Sequence, residues 1–271
     1  MTPRAFGHLP SFAGEEKSTI AILHLAPRAG EIERNKCVIE EAVLRASVMG
    51  AKFIVTPELA VSGYGFRDLI GTDWIARDQA VLFDWAGALA HRASTFLLLG
   101  APEAQTGDAK LFNSMILFAP DGSRLGHHRK INVLKVGSES WSMPGDRATV
   151  LAVDGIGRIG LFVCADMYSH RLVEETAAQG IDLLVSSAAW APGEHGPDGE
   201  WERASAATKR PVLVCNRTGF DVLDFGAGQS IVAADGSIVY CHTSADPACV
   251  LVDWDSQAHA LTNWRVVAAG E

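Results

Sequence analysis

Cys164 closes the apolar run Gly160-Leu161-Phe162-Val163 and is followed by Ala165-Asp166, so a strand-like segment delivers a thiol to its own carboxyl end. Glu58 stands in the same relation to Phe53-Ile54-Val55-Thr56-Pro57, and Lys130 closes His127-His128-Arg129. A thiol, a carboxylate and an ammonium are the parts of covalent acyl-transfer chemistry. A free thiol with a pKa of about 8.5 is only slightly ionised at neutral pH, so a nucleophilic Cys164 needs a base or a cation beside it. Glu58 is the candidate base, and it gains from a raised pKa, which partial burial would provide while Lys130 restrains the shift. Lys130 also places positive charge where a tetrahedral intermediate puts its oxyanion, and the backbone N–H of Ala165 is the natural second donor. This chemistry calls for no metal and no cofactor.

Taken singly, each residue has a plainer explanation. A free Cys is commonly a small buried hydrophobe, a Lys at a strand end is commonly solvated, and a Glu after Pro57 can serve a turn. A Cys-His arrangement is the weaker alternative: His127 and His128 alternate along a strand, so at most one faces inward, and neither has an evident Asp partner. Tyr64 and Trp190 are candidate substrate-binding residues, Asp166 is expected to hold the turn after Cys164 by accepting backbone N–H bonds, and Trp141, Trp201, Trp254 and Trp264 read as packing or subunit contacts.

The elements that must position these groups follow from periodicity. Residues 19–25 form a strand-length apolar run, after which Ile32, Asn35, Ile39, Ala42, Val43 and Ala46 recur at helical spacing. A strand at 52–56, a helix at 74–93 and a buried strand at 95–100 repeat the order. Neither strand alternates polar with apolar, as expected when both faces are covered. Asp121-Gly122, Asp154-Gly155 and Asp235-Gly236 each sit between strand-like stretches and signal hairpins, which makes the sheets mixed. After Cys164 come a helix at 168–179, a strand at 181–186, a helix near 200–209 and a strand at 211–215, so the second half echoes the first. Two such sheets, each with helices along one face, pack sheet on sheet as a four-layer αββα sandwich of the α/β class. Three irregular segments, 63–71, 138–146 and 191–199, are expected to wall a pocket outside the carboxyl ends of the strands, with Arg67, Asp68, Glu194 and His195 as polar candidates for specificity. The stretch 254–267 is apolar enough to dock on a neighbour or to cover the chain's own sheet.

The 271 residues, 48% of them hydrophobic, are read as a loosely held segment at 1–17 and a single domain over 18–271. A net charge of -9 argues against a nucleic-acid partner or an anionic membrane surface and leaves a small molecule as the expected ligand. Five cysteines without a CxxC pairing, and no apolar run of signal-peptide or membrane-span type, point to a reducing cytoplasm.

In order, Pro57-Glu58-Leu59 with Ser62-Gly63-Tyr64, His128-Arg129-Lys130, Pro144-Gly145-Asp146, Cys164-Ala165-Asp166 and Gly228-Gln229-Ser230-Ile231-Val232 ahead of Asp235-Gly236 resemble the nitrilase superfamily of carbon-nitrogen hydrolases, from about residue 19 to 253. The resemblance implies the αββα sandwich, a homodimer or larger homo-oligomer, and a Glu58-Lys130-Cys164 triad working through a thioester or thioimidate. It also implies a second, substrate-positioning glutamate between the lysine and the cysteine, and Glu139 is the only Glu in that interval. True nitrilases of the superfamily tend to follow the cysteine with Trp-Glu, whereas Cys164-Ala165-Asp166 looks like the amide-hydrolysing branch. The chain departs from the pattern at His170-Arg171 and at Ala206-Ala207-Thr208-Lys209-Arg210, which concern structure and dimer contacts. The expected function is hydrolysis of a small amide. A nitrilase, an N-carbamoyl hydrolase and a non-catalytic binding protein keeping the fold are the alternatives.

Overall fold

The structure, a computed structural model, describes residues 17–134, 139–193 and 197–269. The segment read as loosely held lies outside the described residues except for Lys17, which begins the first strand. The chain runs β1 (Lys17–His24), α1 (Ile32–Val48), β2 (Ala51–Val55), α2 (Arg67–Ile70), α3 (Asp73–Ala93), β3 (Phe96–Ala104), β4 (Leu111–Phe118) and β5 (Arg124–Arg129). The second half continues with β6 (Thr149–Val153), β7 (Gly157–Val163), a 3-10 turn (Cys164–Tyr168), α4 (His170–Ala177), β8 (Leu183–Ala188), α5 (Glu200–Thr208) and β9 (Val212–Asn216). It ends with β10 (Gln229–Ala234), β11 (Ser237–Thr243), β12 (Ala248–Asp255) and β13 (Ala260–Ala268).

Two mixed sheets result, one ordered β13-β12-β1-β2-β3-β4-β5 and the other β11-β10-β9-β8-β7-β6. Strands β1-β2-β3 and β7-β8-β9 are the parallel centres, and every other pairing is antiparallel. The echo between the halves is thus physical: two β-α-β-α-β units each continue into a hairpin. All three Asp-Gly pairs lie at hairpin turns, between β4 and β5, β6 and β7, and β10 and β11.

Period-two alternation sorts the first sheet's side chains. Ile20, Ile22, Phe53, Val55, Leu98, Met115 and Leu117 face the other sheet, while Ala21, Leu23, Ile54, Leu97, Leu99 and Ile116 meet α1 and α3. The same face of α1 is recovered by its buried Asn35, Ile39, Ala42, Val43 and Ala46. The helix expected at 168–179 is interrupted: Ser169 is extended and caps α4, its Oγ accepting from Leu172 N at 3.3 Å. Residues 254–267 pair within their own sheet, where Trp254 is fully buried and donates from Nε1 to the Ile156 carbonyl at 2.8 Å. The stretch is thus the edge of its own sheet, with β13 outermost and Val266 exposed.

Candidate active site

Glu58, Lys130 and Cys164 follow β2, β5 and β7, and the two stacked sheets bring these ends together. Glycine permits two of the approaches. A Cβ on Gly100 would lie 2.2 Å from the Pro57 carbonyl oxygen, and one on Gly145 would lie 2.2 Å from that of Arg129. The loop carrying Glu58 therefore crosses directly over β3, and the Pro144-Gly145-Asp146 turn closes onto the end of β5, where Gly145 N donates to the Lys130 carbonyl at 2.7 Å.

Lys130 Nζ donates to Glu58 Oε1 at 2.8 Å and to Glu139 Oε1 at 2.6 Å, and all three side chains are fully buried. Asn113 on β4 donates from Nδ2 to the same two oxygens, at 2.7 and 2.8 Å. Glu58 Oε2 accepts from Ala189 N at 2.8 Å, and that N–H also bears on the Cys164 sulfur, joining carboxylate and thiol through one backbone group at the end of β8.

Charge divides unequally here. Burial pushes Glu58 up, but the Lys130 charge and the hydrogen bonds from Lys130 and Asn113 outweigh it and hold the carboxyl below its ordinary value. The raised pKa expected for Glu58 is therefore reversed. Glu139 takes the rise instead, to about 7, because burial and the neighbouring Glu58 charge together exceed the pull of Lys130. Burial opposes the charge on Lys130 too, yet its two carboxylates hold its pKa well above the ordinary one. Burial, then the Glu58 charge, lifts the Cys164 thiol well above its usual value. The resting site is a neutral thiol beside an ionised Glu58.

Cys164 has φ +46°, a left-handed conformation that costs a non-glycine residue about 1 kcal/mol or more and marks a sharp turn at a strand end. Asp166 holds it. Its Oδ2 accepts from Val163 N and pairs with His128 Nε2, both at 2.9 Å, and its Oδ1 accepts from Ile131 N at 2.9 Å and Asn132 N at 2.7 Å. Asp166 accordingly does what the sequence suggests for the turn and also fastens the residues after Lys130 to the Cys164 turn. Burial works against its ionisation, but these donors keep it below the ordinary Asp range.

Tyr64 is buried, with its phenol under the electrostatic influence of Glu139, Glu58, Lys130 and Cys164. Trp190 follows Ala189, and its ring meets Tyr168 and Trp201 edge-on at 5.0 and 5.4 Å. With Trp201 and Gly228 it lines a cleft of about 170 Å³. Ala165 is buried in the 3-10 turn, its carbonyl accepting from Asn132 Nδ2 at 2.7 Å. Arg67 and Asp68 lie exposed on α2, with Arg67 Nη1 donating to Ser140 Oγ at 2.6 Å, so Arg67 is no buried partner for a charged ligand. Glu194 and His195 lie outside the described residues.

Sequence reasoning missed three groups. Asn113 bridges the carboxylates from a strand with no motif of its own. The Ala189 N–H carries no side-chain signal. His128 does have an Asp partner, Asp166, and the available signal was period two: His128 and Lys130 share one face of the β5 end, while His127 turns outward to Glu103 Oε1 at 2.9 Å.

The site thus brings a buried cysteine in a left-handed turn together with a buried lysine that bridges two carboxylates. The chain belongs to the carbon-nitrogen hydrolase family, whose model matches residues 19–258. A hydrolase of Schizosaccharomyces pombe is 28% identical over 228 residues, covering 79% of this chain and 69% of that one. A citrullinase of Francisella tularensis is 25% identical over 216 residues, covering 73% of each. Among solved structures, an amidase of the nitrilase superfamily from Nesterenkonia AN1 superposes with a TM-score of 0.78 at 21% identity, over 89% of this chain and 92% of that one, a likeness of fold. The protein is therefore a carbon-nitrogen hydrolase with the two-sheet architecture of the nitrilase superfamily. Among the described residues no helix is long and apolar enough to cross a membrane.

Proposed function

We propose that this protein hydrolyses the C–N bond of a small non-peptide amide through a thioester on Cys164. The observation that carries the reading is the fully buried Lys130 ammonium held between Glu58 and Glu139 at the strand ends from which Cys164 also emerges. As Sγ attacks the substrate carbonyl carbon, the thiol proton passes to Glu58. A thiol with a raised pKa makes this transfer simultaneous with attack, so no free thiolate accumulates. The oxyanion is met by Lys130 and the Ala165 N–H. Glu58 returns the proton to the departing nitrogen, the C–N bond breaks, and ammonia or an amine leaves. Glu58 then takes a proton from water as it attacks the thioester, releasing the acid and restoring the thiol.

Glu139, with a pKa of about 7, can carry a proton at physiological pH and is assigned to orienting the substrate amide. Tyr64 and Trp190 are assigned as aromatic walls. The Cys164-Ala165-Asp166 sequence favours amide over nitrile, and the relative named citrullinase makes a carbamoyl group the second choice of substrate. We further propose a location in the cytoplasm, which five free cysteines support, and a homodimer, which the resemblance to the nitrilase superfamily implies. The test is ammonia release across amides, nitriles and carbamoyl compounds, with light scattering for the assembly. Release from amides that vanishes in Cys164→Ala supports the reading, and release from nitriles alone overturns it.

A further inference from the structure

Two consecutive residues at the end of β9 reach the backbones of the two proposed aromatic walls, Asn216 directly at Trp190 and Arg217 through Asp221 at Tyr64. Asn216 Oδ1 accepts from Trp190 N at 2.9 Å, and its Nδ2 donates to the Trp190 carbonyl at 2.9 Å. Arg217, equally buried, reaches the opposite way: Nη1 donates to Asp221 Oδ2 at 2.7 Å and Nη2 to the Pro27 carbonyl at 2.7 Å. Asp221 in turn accepts from Tyr64 N at 2.8 Å on Oδ2 and from Gly65 N at 3.0 Å on Oδ1. The guanidinium lies 4.4 Å over the Phe225 ring, and Phe225 meets Tyr64 edge-on at 6.1 Å.

The arrangement is a poor device for stability alone. A buried ion pair roughly balances its desolvation cost and is often replaceable by apolar side chains. Here Arg217 Nε is also buried without a hydrogen-bond partner, a further cost of about 1–3 kcal/mol. What the pair does secure is geometry, since it ties loops after β1, β2 and β9 into one unit.

We infer that Asn216 and the Arg217–Asp221 pair are positioning residues that set the spacing between Tyr64 and Trp190, and thereby the fit of the acyl group, without taking part in bond breaking. The inference rests on the assignment of Tyr64 and Trp190 as walls made under the proposed function. It predicts that loosening either arm weakens binding and spares the chemical step.

The experiment measures saturation of Cys164 alkylation by chloroacetamide and by N-benzylchloroacetamide, in which sulfur displaces chloride, in the full chain. The double variant Arg217→Met/Asp221→Leu removes both charges together, so no unpaired ion is left buried. Gly65→Ala is the second variant: its Cβ would meet Val222 Cγ1 at 2.3 Å and Asp221 Oδ1 at 2.7 Å, pushing the Tyr64 turn and Asp221 apart while both charges of the pair remain in the protein. Asn216→Ala loosens the Trp190 arm.

In folded variants the half-saturating concentration should rise about tenfold, more for the benzyl reagent, while the limiting alkylation rate stays within about threefold. Unchanged saturation in folded Gly65→Ala and Asn216→Ala, or a limiting rate that falls in step with binding, overturns the inference. Tyr64→Ala separates the two levels. If it weakens binding while the positioning variants do not, only the inference fails. If Tyr64→Ala and Trp190→Ala leave binding unchanged, or parental Cys164 does not react, the underlying reading fails with it.

Discussion

Arg129 and Lys130 are neighbours in the chain, yet they serve two carboxylate clusters with opposite behaviour. Glu103 on β3 meets Arg129 Nη2 at 3.1 Å through Oε1 and Arg129 Nε at 3.1 Å through Oε2, with His127 and Ser114 Oγ adding contacts at 2.9 and 2.8 Å. Burial pushes Glu103 up, but one carboxylate surrounded by several donors ends far down, at about 2. On the other side of the strand end, two carboxylates share the single Lys130 cation, and Glu139 is left at about 7. Burial is the largest influence on both carboxyls and pushes both up; the donors around Glu103 outweigh it, whereas at Glu139 the charge of Glu58 adds to it against the pull of Lys130.

Removing the proposed nucleophile is the most severe break. Cys164→Ala should lower amide turnover by roughly 10⁴-fold or more with the fold unchanged by circular dichroism, and retained turnover would sever the chemistry from this cluster. Next comes Lys130→Met, which leaves two buried carboxylates facing each other. Denaturant titration should show a loss of about 3–5 kcal/mol, partly recovered at neutral pH by adding Glu139→Gln, whereas turnover should not recover.

Glu139→Gln alone sharpens the contrast through pH. Because the folded protein holds this proton more tightly than the unfolded chain, the contribution of Glu139 to stability should decline as pH rises from about 4.5 through 7, against an opposite slope from buried His24, lowered to about 4, that parent and variant share. The Gln variant should lack that decline in melts across the range. Glu103 has the opposite sign. Its contribution is fully present above about 4.5 and is lost as pH falls toward 2. Glu103→Gln should thus cost about 2 kcal/mol at pH 7 and flatten the acid limb, with turnover within about threefold of the parent.

Much of this was legible in the chain. Apolar runs ending at Glu58 and Cys164 located strand ends, and three Asp-Gly turns located hairpins, because both are local signals written in consecutive residues. Asn113 and the His128–Asp166 contact were not legible, since they depend on β4 lying beside β5 and on how the second sheet stacks upon the first. The direction of the Glu58 shift was misread for a related reason. Burial can be anticipated from apolar neighbours, but the count of donors arriving from Lys130, Asn113 and Ala189 belongs to the assembled site.

The most direct measurement is a rapid acid quench of the parent protein during turnover of a primary amide, followed by peptide mass mapping. The thioester trapped by the quench should leave the acyl mass on the peptide containing Cys164, and the adduct should be absent in Cys164→Ala and in Glu58→Gln, where acylation itself lacks its base. Ammonia release by the parent with the acyl group found on another residue, or with turnover surviving the loss of Cys164, would contradict the account.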